Sequence, residues 1–261
     1  MEGSGRVIKV RVAYDGAAFH GWEKQPGLVT VQGSLEDAVR RVTGETVPIF
    51  GSGRTDAGVS AVGQTAHFRI DSDLSADDIP NALNAQLPKT LVVRDAQEMG
   101  PGFHARFSAT GKRYLYQIVT GKWRPPMVGS GIHFVRGTLD ATAMAQAARH
   151  FEGEHDFSSV ASLLDGDKRR PVRRMTVCRV EESAAQFGVP VGDPSLIKLS
   201  IVMDAKGFLY KMARGIVGTL MEVGWGKRDP ETIPALLEAR DRSCGGPTAP
   251  AEGLTLVEVF Y

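Results

Sequence analysis

The sequence predicts an α+β fold, and three observations carry that expectation. Alternating apolar stretches that fit strands are interspersed with stretches of helical spacing, without the strict strand–helix rhythm of a doubly wound parallel sheet. The 261 residues suffice for one large domain or two small ones. The elements form two comparable sets that divide near Phe107, so residues 1–107 and 108–261 are expected to be two α/β halves, although no sequence repeat relates them. A composition of 42% hydrophobic and 23% charged residues excludes intrinsic disorder, collagen-like structure and coiled coil. No apolar run approaches the ~18 residues of a membrane helix, and residues 1–10 lack the apolar core of a signal peptide. Two cysteines, Cys178 and Cys244, build neither a disulfide scaffold nor a cysteine-rich zinc site, and read as reduced thiols of a cytoplasmic protein.

Residues 7–14 alternate, with Ile8, Val10, Val12 and Tyr14 on one face, and predict a strand ending at the Asp15-Gly16 turn. From Thr30, a candidate N-cap, Val31, Leu35, Ala38, Val39 and Val42 recur at helical spacing. Residues 47–50 predict a short strand running into a glycine-studded loop at 51–58, and 64–70 a further strand. Residues 76–86 read as helix and 91–96 as strand, separated by Leu87-Pro88. Residues 114–119 predict a strand carrying Tyr114, Tyr116 and Ile118 on one side. An alanine-rich helix follows over 140–151, with Asp140 as its cap. Residues 175–182 and 196–203 read as paired strands around a Gly/Pro-rich connection at 188–194. The longest helical pattern covers 208–223, with Phe208, Met212, Ile216 and Leu220 on one face. Asp229-Pro230 opens another helix, cap then proline, and 254–261 closes the chain as a strand.

The formal net charge is only +1, but the charge is segregated. No acidic residue stands between Glu98 and Asp140, whereas Arg106, Lys112, Arg113, Lys122, Arg124 and Arg136 do. A second cluster holds Lys168, Arg169, Arg170, Arg173 and Arg174. Either cluster alone fits a solvated loop; the two together fit a basic face for nucleic acid.

Several standard sites are absent: H-E-x-x-H, paired Cys-x-x-Cys and the phosphate-binding G-x-x-x-x-G-K-[ST]. Asp56 stands where a dinucleotide fingerprint beginning at Gly51 would need its third glycine. Asp165-Gly166-Asp167, beside three basic residues, reads as a charged turn before it reads as a cation site. No cofactor or metal is implied. What remains is the loop Gly51-Ser52-Gly53-Arg54-Thr55-Asp56-Ala57-Gly58, whose three glycines allow tight bending and close approach to a ligand. An aspartate held ionised in a concave site needs a cation, and an arginine can pair it, grip a phosphate or stack on a base. The same residues also fit a glycine-rich turn with a surface ion pair.

Gly53-Arg54-Thr55-Asp56-Ala57-Gly58-Val59 resembles the signature loop of the TruA family of tRNA pseudouridine synthases. The resemblance covers nearly the whole chain. It continues through Tyr14-Asp15-Gly16 with Phe19-His20-Gly21-Trp22, and through residues 103–109 followed by Lys112-Arg113-Tyr114. Residues 208–214 with Ile216-Val217-Gly218, and the closing block at 249–254, complete it. The resemblance implies the pseudouridine synthase fold: two α/β halves whose antiparallel sheets merge into one central sheet, a basic cleft between them, and a homodimer. It implies isomerisation of uridine to pseudouridine in the anticodon stem-loop of tRNA, at positions 38, 39 and 40, without cofactor or metal.

By their places in these motifs, Asp56 resembles the family's nucleophile, Tyr114 its active-site tyrosine and Arg214 the basic partner of the aspartate. A carboxylate suits attack on an electron-poor centre, either the sugar carbon or C6 of the base, with C2′ deprotonation as the alternative opening step, and an aromatic ring suits a base flipped out of its stack. Arg54 resembles the arginine that extrudes the target nucleotide or holds its phosphate, and Leu254 a residue lining the uracil pocket. Tyr116 is expected to be core. Arg106, Lys112, Arg113, Lys168, Arg169, Arg170 and Arg173 are expected to contact tRNA phosphates. Departures from the family pattern are Ser60 for histidine, Glu23 for glutamine, and Lys211, Ala213 and Gly215 in the third block. Two other readings compete with an anticodon-loop isomerase. One is a tRNA-binding protein that promotes folding without catalysis, and the other is a synthase acting at a different RNA position. An unrelated phosphate-binding enzyme is disfavoured by the missing motifs.

Overall fold

The computed structural model describes residues 5–126, 128–129, 131–162, 171–185 and 196–261. It is mixed α+β and divides into two compact units, Met1–Thr110 with Thr255–Tyr261, and Gly111–Leu254.

The first unit begins with β1 (Arg6–Tyr14), whose alternation buries Ile8, Val10, Val12 and Tyr14 as the pattern requires. The Asp15 carboxylate accepts from the Ala17 N–H and turns the chain sharply at Gly16–Ala18. Helix α1 (Val31–Thr43) is capped by Thr30, whose hydroxyl accepts from the Gly33 N–H at 3.3 Å, and buries Val31, Leu35, Ala38 and Val39. The strand expected over 47–50 is reduced to β2 (Phe50–Gly51). Side chains of α1 take the backbone it would have used: the Ile49 N–H donates to the Glu36 carboxylate, and the Ile49 carbonyl accepts from Gln32. Strand β3 (Ser60–Ile70) starts earlier than expected and pairs antiparallel with β1, Ile8 opposite Phe68 and Val10 opposite Ala66. Helix α2 (Ile79–Asn84) is shorter than the pattern over 76–86, because Ser75 and Asp78 hydrogen-bond into a turn that precedes Pro80. Strand β4 (Leu91–Met99) covers the other edge of β1.

The second unit is built on β5 (Gly111–Gly121), which buries Tyr114, Tyr116 and Ile118 on the expected face. Strand β6 (His133–Arg136) runs parallel to its end and was not legible as a strand. Helix α3 (Ala141–Arg149) is capped as expected, Asp140 accepting from the Ala143 N–H at 2.9 Å. Strand β7 (Gly153–Asp156), also unforeseen, pairs with β8 (Val172–Ala184), and β8 pairs antiparallel with β9 (Ile197–Ala205). The expected hairpin partners are therefore present and longer; the connection at 188–194 lies outside the described residues. Helix α4 (Met212–Gly224) begins four residues after the expected start, because Lys211 sits at φ 58 and stops helical continuation back to Phe208. Asp229 caps a single turn at Pro230–Thr232 that leads into α5 (Ile233–Ala239). The sheet order in this unit is β5-β9-β8-β7.

The chain then returns to the first unit. Strand β10 (Leu254–Phe260) lies parallel to β3, Thr255 opposite Ser60 and Leu256 opposite Ala61, giving the order β4-β1-β3-β10 there.

Candidate active site

The glycine loop after β2 is held by backbone geometry rather than left to flex. The Ser52 N–H donates to the Thr65 carbonyl and the Gln64 amide to the Gly53 carbonyl, both at 2.8 Å. Thr55 is buried and anchored twice: its hydroxyl bonds the Tyr14 hydroxyl at 2.8 Å, and its carbonyl accepts from the Trp22 N–H at 3.0 Å. Burial pushes the Tyr14 phenol up to about 12, so it keeps its proton at neutral pH. Gly21, at φ +92, lets this segment pass against the loop; a Cβ there would lie 2.9 Å from the Thr55 carbonyl oxygen. One residue on, the Val59 N–H closes a turn onto the Asp56 carbonyl at 3.1 Å. Asp56 thus sits half-buried between a fixed threonine and a closed turn. Such a carboxylate has little backbone entropy left to lose on meeting a substrate.

Arg54 points outward, 72% exposed, and pairs with Glu23. Glu23 is one of the departures from the resemblance, and its pairing with Arg54 was not foreseen. Gln64 was not singled out from sequence; its signal is a polar side chain on the inner face of a strand, and it is fully buried.

In the second unit, Tyr114 is buried on β5 and meets Phe208 edge-on, with ring centroids 4.8 Å apart. Phe208 reaches it because the left-handed Lys211 detaches residues 208–211 from α4. Tyr116 is fully buried and donates its hydroxyl to the Pro250 carbonyl at 2.9 Å, as a core residue should. Burial pushes its phenol well up; the Glu252 carboxylate adds to the shift and the Arg214 guanidinium opposes it. Arg214, in the first turn of α4, donates from Nε to the Ala249 carbonyl at 2.7 Å, and the Ala249 N–H donates back to the Arg214 carbonyl at 3.0 Å. The closing block is therefore bolted to Tyr116 and Arg214 just before buried Leu254.

The basic residues divide by what their charge already meets. Arg113 forks onto Asp204, its cross-strand neighbour, with bonds of 2.8 and 2.6 Å. That pairing gives it a structural use, since Asp204 is buried. Arg173 donates to the carbonyl of Val172 at 2.7 Å. Lys112 is half-buried opposite Ala205, and Arg106 is exposed with its guanidinium 5.6 Å from the Phe107 ring centre. Lys168, Arg169 and Arg170, and the acidic pair Asp165 and Asp167, lie outside the described residues. No helix among the described residues is long and apolar enough to cross a membrane.

The family model described as "tRNA pseudouridine synthase" matches residues 11–108 and 147–261. Proteins named tRNA pseudouridine synthase A are similar to this chain over nearly its full length. That of Acetivibrio thermocellus is 42% identical, covering 98% of this chain and 100% of its own. That of Brevibacillus brevis is 44% identical over 97% and 99%, and that of Geobacillus kaustophilus 44% over 97% and 94%. Among solved structures, a Cbf5-Nop10-Gar1 complex aligns with a TM-score of 0.37 at 11% identity, over 95% of this chain and 48% of that one. The motif loop, the ordered blocks and these full-length relatives agree: the chain belongs to the tRNA pseudouridine synthase family and isomerises uridine in tRNA.

Proposed function

We propose that this enzyme acts on the anticodon stem-loop of tRNA, at positions 38, 39 and 40, with Asp56 as its nucleophile. The observation that carries the assignment is the fixed loop: Asp56 occupies the motif position between doubly anchored Thr55 and the turn closed by Val59. Following the family resemblance, Tyr114 and Arg214 are its further catalytic residues, Tyr114 as the ring for the uracil. Leu254 lines the uracil pocket. Arg54, Arg106, Lys112 and Arg173, with Lys168, Arg169 and Arg170, supply phosphate contacts, and Arg113 contributes chiefly through its hold on Asp204.

The reaction exchanges the C1′–N1 bond for a C1′–C5 bond. The C5 proton leaves and N1 takes up a proton. Atoms and electrons balance within the nucleoside, so the step needs no oxidant, reductant or group donor. A carboxylate can serve by adding to the sugar carbon or to C6 and leaving again. Following the family resemblance, the enzyme works in the cytoplasm as a homodimer.

The test uses unmodified tRNA transcripts that keep a uridine at 38, 39 or 40, or at none of them. Conversion of the first three and not the last is expected. Asp56→Asn is expected to bind these transcripts as wild type does and to convert none. Turnover by Asp56→Asn comparable to wild type would remove the nucleophile assignment; conversion of the transcript lacking all three uridines would remove the position assignment.

A further inference from the structure

One surface of the first unit carries a ladder of rings that the reaction above does not use. It starts at buried His67 in β3, whose ring lies 4.5 Å from that of His104; His104 in turn lies 4.3 Å from Phe107. Phe50 stacks on His67 at 5.3 Å and leans on His104 at 5.8 Å. The outer rungs are open: Phe107 is 76% exposed and Phe50 46%. A phenylalanine that exposed, resting on a buried stack, costs apolar hydration and contributes little to the core.

The ladder is held still from below. The Ala105 N–H donates to His67 Nδ1 at 3.2 Å, and the N–H groups of Arg106 and Phe107 donate to His104 Nδ1 at 3.1 and 3.4 Å. Nδ1 is therefore the acceptor on both rings, which fixes the tautomer with hydrogen on Nε2. The Ser108 hydroxyl accepts from the His104 N–H at 3.1 Å, and the Ser108 N–H donates to the His104 carbonyl at 2.9 Å. The chain at 104–108 is thus a small closed turn that presents Phe107. Burial keeps both imidazoles below the usual histidine range, so they stack as neutral rings at physiological pH. Positive charge comes from Arg106 beside Phe107, and the sequence from 99 to 139 contains no Asp or Glu to cancel it.

We propose that Phe107, backed by His104 and Phe50 and flanked by Arg106, is a stacking platform for an unpaired base of the RNA substrate other than the reacting uridine. An open aromatic plane takes the π-face of any base, and the neighbouring guanidinium answers the phosphate that the base carries with it. A neutral protein partner would gain nothing from that cation, whereas a polyanion does. The contact reads no sequence; it adds affinity and helps to set where the RNA lies.

The experiment measures binding of an unmodified tRNA transcript over a salt series by wild type, Phe107→Ala, Phe107→Trp and Arg106→Ala, with the mass of each protein from sedimentation. Phe107→Ala is expected to weaken binding about 5- to 100-fold with the salt slope unchanged, and Phe107→Trp to restore it. Arg106→Ala is expected to reduce the salt slope by about 1. Because the ring is exposed, the unfolding midpoint of Phe107→Ala should match wild type. Wild-type affinity in Phe107→Ala overturns the platform. So does weaker binding that accompanies a loss of mass, which would make the ladder a contact between two copies of the chain. Neither result touches the nucleophile assignment, which stands or falls on Asp56→Asn.

Discussion

Thr55 shows how single hydrogen bonds fix the neighbour proposed as nucleophile. Its hydroxyl and carbonyl are each held by a different segment, Tyr14 at the end of β1 and Trp22 after the first turn, so Asp56 follows a residue with no freedom to move. Asp56 is singled out in the sequence because its motif is contiguous. Its supports were not, since Gln64 and Tyr14 meet the loop only through the fold. The same holds for His67, whose neighbours His104 and Phe50 are distant in sequence. Burial, then the proximity of His104 and Arg69, pushes its pKa from 6.5 down to about 4. The unfolded chain takes up that proton near 6.5 and the folded one near 4, so the unfolded state binds more protons between them. Stability is therefore full above about 6.5 and falls as the pH drops towards 4, by on the order of 1 kcal/mol from this group. Thermal unfolding between pH 7.5 and 4.5 should show this decline, and His67→Gln should flatten it. A variant curve parallel to wild type would contradict the assignment to His67.

At the scale of elements, α4 carries the most consequence. Its helical spacing was plain in the sequence, but its start was not, because propensity gives no warning that Lys211 adopts a left-handed backbone. That break frees Phe208 to meet Tyr114 and places Arg214 in the first turn, where Ala249 holds it. The helix also lies hard against the closing block: a Cβ on Gly218 would run into the Pro247 carbonyl. Gly218→Ala should destabilise the protein by roughly 2–4 kcal/mol, since backbone on both sides must give. Denaturant unfolding measures it, and a midpoint equal to wild type would show that the packing is looser than described. The strands β6 and β7 are illegible in the sequence for a simpler reason. Four residues each, with sequences HFVR and GEHD, they are too short to show a period. The opposite error at 47–50 arose because a good apolar stretch lost its backbone partners to Gln32 and Glu36.

For the whole molecule, net charge is a poor guide and distribution a better one. With a formal charge of +1, affinity for a polyanion has to come from segregated basic segments, one of which lies between two acidic positions 42 residues apart, Glu98 and Asp140. Binding of tRNA should therefore weaken steeply with salt, the log–log slope counting the phosphates neutralised at about 0.7 to 0.9 each. An affinity flat across a salt series would contradict phosphate contacts as the source of binding. The class of fold was readable from mixed periodicities, whereas the return of β10 to lie parallel to β3 was not, because a closing strand carries no mark of its partner. The role proposed for Asp56 in the isomerisation is tested by release of tritium from C5-labelled uridine in an unmodified tRNA transcript. Wild type should release tritium and Asp56→Asn should release none while still binding the transcript. Release by both at similar rates would remove Asp56 from that role.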